Sequence, residues 1–270
     1  MSMKTLYVTD LDGTLLKKDQ TVSEYSKRII NDLISRGELI TYATARSGET
    51  AGIVTAGLNI KAPSILYNGA FICDASGKII LSHTFTERDK EMISELIAAG
   101  IYSIVYAIRN GQEKFSFIPD KISRAGLEFN NTRKTCTRYN PVKTIRELYD
   151  GETFYITIID DCDKLKPFYE KYKKNYNCVF SKDIYSGEYW LEIMHRHANK
   201  ADAVFELKQM LGCRLVVFGD EKNDIDMFRI ADECYAVENA VDELKAIATA
   251  VIPDNESDGV AKQLIKLIGN

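Results

Sequence analysis

Thr5-Leu6-Tyr7-Val8-Thr9-Asp10-Leu11-Asp12-Gly13-Thr14 is the stretch on which the reading of the fold turns. Thr5–Thr9 is short, apolar and β-branched, and a charged residue ends it abruptly. That pattern suits a strand covered on both faces, as in a parallel sheet. Asp10 then stands at the carboxyl end of the strand, where open parallel sheets bind their ligands. Gly13 lets the chain turn sharply away. A spacing of two residues sends Asp10 and Asp12 towards one cleft. Two carboxylates placed there repel each other unless a cation or a proton intervenes. Taken alone, the segment reads equally well as a turn or a helix cap, because Asp and Gly favour both.

The segments that follow support a sheet. Ser23 is placed to cap a helix over about Glu24–Arg36, with Ile29, Ile30, Leu33 and Ile34 on one side and Gly37 ending it. Leu39–Ala43 reads as a second buried strand, a short helix follows, and Ser64–Tyr67 reads as a third strand. Strand, helix, strand, helix, strand is the order of a right-handed α/β sheet. Ala70–Cys73 and Lys78–Ser82 flank Asp74-Ala75-Ser76-Gly77 as a hairpin beside it.

The rhythm then changes. Glu87–Ala99 reads as a helix. Tyr102–Ile108 and Lys114–Ile118 meet around Asn110-Gly111, a strong hairpin signal. Thr153–Ile159, Val179–Phe180 and Tyr189–Met194 read as strands, and Lys164–Tyr176 as a helix. The α/β rhythm resumes with helix Lys200–Leu211, strand Leu215–Phe218, helix Asp224–Ile230, strand Cys234–Val237 and helix Val260–Ile268. The expected fold class is α/β: a Rossmann-like parallel-sheet core formed by residues 1–83 and 194–270, carrying an inserted α+β cap over residues 84–193.

Composition narrows the functional classes. A formal net charge of −4 with no basic face argues against nucleic acid as a partner. The lysines between Lys164 and Lys174 are interleaved with acids and tyrosines, as on a solvated helix face. None of the six cysteines sits in a Cys-x-x-Cys pair, so neither a zinc site nor a disulfide framework is expected. No segment resembles a signal peptide or a membrane span, which makes a cytoplasmic location and no membrane partner the default expectation. No feature speaks for a particular oligomeric state.

A second acidic cluster decides the chemistry. Gly219-Asp220-Glu221-Lys222-Asn223-Asp224 follows the strand Leu215–Phe218 and again sets carboxylates at the end of a buried apolar run. Two such clusters on one sheet make a hard-oxygen site suited to Mg²⁺. Thr44-Ala45-Arg46, after the strand Leu39–Ala43, offers a hydroxyl and backbone N–H groups to phosphoryl oxygens. Lys200 opens a helix just before the strand leading to Asp220 and can neutralise phosphoryl charge.

Asp-x-Asp-Gly-Thr, a strand-end Thr, a Lys and Gly-Asp-x-x-Asn-Asp, in that order, resemble the motif set of the haloacid dehalogenase superfamily. The arrangement is most similar to the superfamily's Cof-type branch of sugar-phosphate phosphatases. Tyr67-Asn68-Gly69-Ala70, Glu238-Asn239-Ala240 and Asp258-Gly259-Val260-Ala261 extend the resemblance across the core. Ala45 and Ala201 stand where the family usually has glycine, and Ala45 suits its place provided that φ is negative there.

The resemblance implies a Mg²⁺-dependent phosphatase acting on small phosphorylated metabolites, sugar phosphates first among them. It implies Asp10 as nucleophile, forming an aspartyl-phosphate, and Asp12 as general acid and then base. Mg²⁺ would be held by Asp10, the backbone carbonyl of Asp12, Asp220 and Asp224. Thr44 and Lys200 would bind phosphoryl oxygens, and Asn223 would orient Asp224 or the phosphate. Arg124, Glu188 and Tyr189 are the cap residues expected to touch the substrate. Two other readings use the same motifs: a phosphomutase of the superfamily, and a non-catalytic sensor of a phosphorylated ligand.

Overall fold

The structure, a computed structural model, describes residues 3–182 and 187–269. The chain divides into two compact units, Met1–Ser82 with Ala198–Asn270 and His83–His197. The second unit thus runs one residue before and four residues beyond the expected 84–193, and β11 (Tyr189–Met194) still pairs at Met194, one residue past the expected end.

The first unit opens with β1 (Thr5–Thr9), α1 (Glu24–Ser35), β2 (Leu39–Tyr42), α2 (Gly48–Val54), β3 (Ser64–Leu66), β4 (Phe71–Cys73) and β5 (Ile79–Ser82). It resumes with α7 (Lys200–Leu211), β12 (Arg214–Gly219), α8 (Ile225–Ile230), β13 (Glu233–Val237), α9 (Asp242–Lys245), β14 (Ala250–Ile252) and α10 (Gly259–Ile268). The five-stranded sheet runs β14-β13-β12-β1-β2 and every pair in it is parallel. Leu6, Val8, Leu215, Val217 and Phe218 are wholly buried, as apolar strands covered on both faces must be. Ser23 accepts from Ser26 N and caps α1, and Gly37 takes up φ +95° just past its end.

β3 departs from the expected pattern. It touches β2 through a single parallel bridge between Ala43 and Ile65, and otherwise pairs antiparallel with β4. The reason is local. Tyr67, Asn68 and Gly69 all take positive φ, so the chain reverses after only three extended residues.

The second unit comprises α3 (Lys90–Ala98), β6 (Ile104–Arg109), β7 (Gln112–Phe117), α4 (Arg124–Asn131), β8 (Tyr139–Pro141), α5 (Ile145–Leu148), β9 (Glu152–Asp160), α6 (Cys162–Tyr172), β10 (Asn177–Lys182) and β11. Its six-stranded sheet runs β10-β11-β9-β6-β7-β8, antiparallel except for β7 with β8. The β6–β7 hairpin turns on Asn110 (φ 49°) and Gly111 (φ 74°), the two positive values that a tight two-residue turn demands. Leu96 of α3 and Leu165 of α6 pack on Ile156, Ile158, Leu191 and Ile193 to form the core of this unit.

Candidate active site

The sheet register brings the strand ends together. Thr9 of β1 lies opposite Phe218 of β12 on one side and Tyr42 of β2 on the other. Asp10 N donates to Phe218 O at 3.0 Å, and Ala43 N donates to Thr9 O at 3.0 Å. Three loops therefore leave one edge of the sheet side by side, carrying Asp10, Thr44 and Asp220.

Asp10, Asp220 and Asp224 offer carboxylate oxygens within 4.8 Å of one another, and all three residues are buried. Among the described residues this is the one such grouping of His, Cys, Asp and Glu side chains. Lys200, the first residue of α7, reaches in from the side. Its Nζ donates to Asp10 Oδ1 at 2.5 Å and to Asp224 Oδ1 at 2.7 Å. Asp224 is further fixed by two backbone donors, Asp220 N at 3.0 Å and Glu221 N at 3.2 Å. Thr14 Oγ1 donates to Asp220 Oδ1 at 2.8 Å. Gly219 has to be glycine, since a Cβ there would lie 2.6 Å from Asp224 Oδ2.

Three carboxylates against one ammonium leave two net negative charges in a buried place. Burial raises the Asp10 carboxyl well above its usual range; Lys200 opposes this and Asp224 adds to it. Burial likewise pushes Asp220 up to about 6, opposed by the Thr14 bond and reinforced by Asp224. Burial works against the Lys200 charge, but Asp10 and Asp224 outweigh it and hold the ammonium above its usual value. A cluster that draws protons for lack of positive charge, with hard oxygen donors pointing inward, fits a divalent cation such as Mg²⁺.

Asp12 stands outside that cluster. Its carboxylate is half exposed and forms a two-point pair with Arg46, at 2.7 Å from Nε to Oδ2 and 2.5 Å from Nη2 to Oδ1. Thr44 is buried and its Oγ1 accepts from Arg46 N at 3.1 Å. A hydroxyl that accepts one bond still has a proton to donate. Asn223 Nδ2 donates to Asn68 Oδ1 at 3.2 Å, so it links two loops. Ala45 is not among the positive-φ residues, so alanine fits where the family usually has glycine.

Sequence reasoning gave several contributors no role in the site. Arg46 stood inside the Thr44-Ala45-Arg46 segment without a role; an unpartnered Asp12 at a strand end was the signal for a nearby cation. Asn68, with φ 52°, and Gly69, with φ +100°, form a turn that packs against Asn199, where a Cβ on Gly69 would meet Asn199 O at 2.2 Å. Asn239 Nδ2 donates to Gly13 O at 2.8 Å and Asn255 Nδ2 to Leu16 O at 2.8 Å, which anchor the loop after β1.

In the second unit, Arg124 and Glu188 line one cavity of about 510 Å³ together with Phe129 and Trp190. Tyr189 does not join them. Its ring lies 5.2 Å from that of Phe180, because successive residues of a strand point to opposite faces.

A family model described as haloacid dehalogenase-like hydrolase matches residues 7–264. The chain belongs to the haloacid dehalogenase-like hydrolases. This hydrolase is 28% identical to 5-amino-6-(5-phospho-D-ribitylamino)uracil phosphatase YwtE of Bacillus subtilis, across 96% of each chain. It is 25% identical to Phosphatase YwpJ of the same organism, across 97% of this chain and 99% of that one. Among solved structures, TM0651 from Thermotoga maritima superposes with a TM-score of 0.80 at 25% identity, covering 98% of this chain and 97% of that one. A haloacid dehalogenase-like hydrolase from B. subtilis superposes with a TM-score of 0.75 at 23% identity, covering 98% of this chain and all of that one. Among the described residues no helix of the hydrolase is long and apolar enough to cross a membrane.

Proposed function

We propose that this hydrolase removes phosphate from small phosphorylated metabolites, sugar and sugar-alcohol phosphates in particular, through an aspartyl-phosphate on Asp10. The observation that carries the reading is the buried group of Asp10, Asp220, Asp224 and Lys200 at the carboxyl ends of adjacent parallel strands. Two of the curated relatives are phosphatases of a ribitylamino-uracil phosphate, which makes phosphorylated polyols a sensible class.

Asp10 attacks phosphorus with a carboxylate oxygen, and the bond from phosphorus to the ester oxygen breaks. Asp12 gives its proton to that departing oxygen. A water then attacks the phosphorus of the aspartyl-phosphate, Asp12 takes the water's proton, and inorganic phosphate leaves with Asp10 restored. Mg²⁺, held by Asp10, Asp220, Asp224 and the Asp12 carbonyl, would mask the charge of Asp10 and of the phosphoryl oxygens. Lys200 and the Thr44 hydroxyl bind phosphoryl oxygens as charge builds on them. Arg46 is a positioning residue: it fixes the Asp12 side chain, and an incoming phosphate competes with that carboxylate for the guanidinium. Arg124 and Glu188, which share one cavity of the second unit, contribute to substrate choice.

The test is phosphate release from a panel of phosphorylated metabolites, the ribitylamino-uracil phosphate included, with Mg²⁺ or with EDTA, for the wild type and Asp10→Asn. We expect Mg²⁺-dependent release that Asp10→Asn lowers by at least about 10³-fold while its circular dichroism is unchanged. Turnover by Asp10→Asn at the wild-type rate would remove Asp10 from the role of nucleophile.

A further inference from the structure

Arg133 follows α4 and lies against one face of the second unit's sheet. Its guanidinium carbon sits 4.2 Å from the ring centre of Phe115 and 3.8 Å from that of Phe129. Nη1 donates to the Tyr106 hydroxyl at 3.1 Å and Nη2 to Asn130 Oδ1 at 3.0 Å. Each terminal nitrogen keeps one further N–H, and the Nε–H is buried without an acceptor. Glu192 stands on the same face. Its Oε1 accepts from the Tyr155 hydroxyl at 2.5 Å, and its other oxygen has no hydrogen-bond partner and is not sealed from solvent. Among the described residues neither Arg133 nor Glu192 forms an ion pair.

We propose that Arg133 and Glu192 recognise the hydroxyl-bearing chain of the substrate, an inference that rests on the phosphatase reading above.

Sheet register puts the two groups on one face. Phe115 of β7 lies opposite Tyr106 of β6, and Tyr106 lies opposite Tyr155 of β9. Tyr155 lies opposite Met194 of β11, two residues along from Glu192, and residues two apart share a face. The Tyr106 and Tyr155 rings pack edge to face with centres 5.3 Å apart. Two tyrosines thus connect the guanidinium to the carboxyl. Both charges act on the Tyr106 hydroxyl, yet they do not pair with each other.

Taking a guanidinium and a carboxyl partly out of water costs free energy that an ion pair commonly offsets. The two phenylalanine rings support the guanidinium through cation–π attraction. Nothing comparable supports Glu192, and burial raises its carboxyl pKa. Stability alone would be served better by apolar residues of like size. Held as they are, the two side chains present N–H donors at one end and a carboxyl acceptor at the other.

The charges also select the ligand. An anion would be repelled by Glu192 and a cation by Arg133. A neutral chain of hydroxyls meets neither penalty, because each hydroxyl can accept from a guanidinium and donate to a carboxyl. Groups arranged to bond hydroxyls also reject analogues that lack them.

The test compares ribitol 5-phosphate with phenyl phosphate, an ester without hydroxyls, in Mg²⁺. We expect Glu192→Leu to lower the ratio of kcat/KM for the two esters at least about tenfold. Arg133→Lys, which keeps the charge but loses the planar fork, should do the same. Glu192→Gln still accepts and donates, and should restore most of the ratio. Circular dichroism checks that the variants fold. Trp190, the chain's one tryptophan, gives a readout that needs no turnover. Its ring centre lies 4.6 Å from that of Phe129, the ring under Arg133. In an Asp10→Asn background, ribitol 5-phosphate should change its fluorescence saturably, with a midpoint at least about tenfold higher once Glu192→Leu is added. A selectivity ratio moved by neither Glu192→Leu nor Arg133→Lys would overturn the inference and leave the phosphatase intact. Release of phosphate from neither ester by the wild type would instead count against the phosphatase reading. The titration then decides alone, and a midpoint unmoved by Glu192→Leu, or no saturable change, would overturn the inference.

Discussion

Gly13 meets two demands that only glycine satisfies together. Its φ is +76°, and a Cβ placed on it would lie 2.1 Å from Asp220 Oδ2. Gly13→Ala therefore strains the backbone by about 1–3 kcal/mol and also pushes a carboxylate out of the acidic cluster. We expect a lower Tm and a weaker Mg²⁺ titration; a variant that keeps the wild-type Mg²⁺ response would show that Asp220 tolerates displacement. Glu192 gives a test of opposite sign in the second unit. Burial raises its carboxyl pKa, although the Tyr155 hydroxyl, donating at 2.5 Å, opposes the shift. The stability carried by the protonated acid is thus complete below the ordinary glutamate value and is lost as pH rises through the raised one. Glu192→Gln keeps an acceptor for Tyr155 and cannot ionise. Thermal melts should show it more stable than the wild type near pH 8, with the gain fading as pH falls. A gain that is constant with pH would place its cause outside ionisation.

At the scale of elements, α7 carries the one charge that partly offsets the acidic cluster. Asn199 caps it, its Oδ1 accepting from Asp202 N at 2.8 Å, and Lys200 follows at once. Loss of the cap frays the turn that aims Lys200. Asn199→Ala should cost about 1 kcal/mol in denaturant unfolding and lower turnover more than that loss alone explains. Unchanged turnover would show that burial of Lys200, not the helix start, aims the ammonium. Elements were legible where their signal is local. Ser23 and Gly37 bracket α1, and Asn110-Gly111 makes the β6–β7 turn, as their chemistry requires. Residues 119–150 carry no clean period, and α4, β8 and α5 within them were not anticipated. β3 was expected to run through Tyr67 but stops at Leu66, because positive φ at three successive residues overrides β propensity.

For the whole molecule, the acidic cluster lies entirely within the first unit. Added Mg²⁺ should stabilise that unit by mass action. Hydrogen exchange should slow at the ends of β1 and β12 and in the loop carrying Asp224, with β6, β9 and β11 unaffected. Equal protection in both units would mean that their opening is coupled.

Sequence alone determined the order of the strands β1, β2, β12 and β13 with the helices α1, α7, α8 and α10, and the placement of Asp10, Thr44 and Asp220 just beyond buried strands. These follow from short-range chemistry: apolar runs, turn residues and caps act over a few neighbours. It also marked Lys200 and Asp224 through the order of the motifs. Tertiary structure decided which distant groups meet. Thr14 finds Asp220, Arg46 clasps Asp12, Lys200 bridges Asp10 and Asp224, and Asn223 turns to Asn68. Those meetings depend on sheet register and on the packing of residues up to about two hundred positions apart, as with Thr14 and Asp220. No local pattern encodes such distances, because the free energy that sets them comes from burial shared across the whole core.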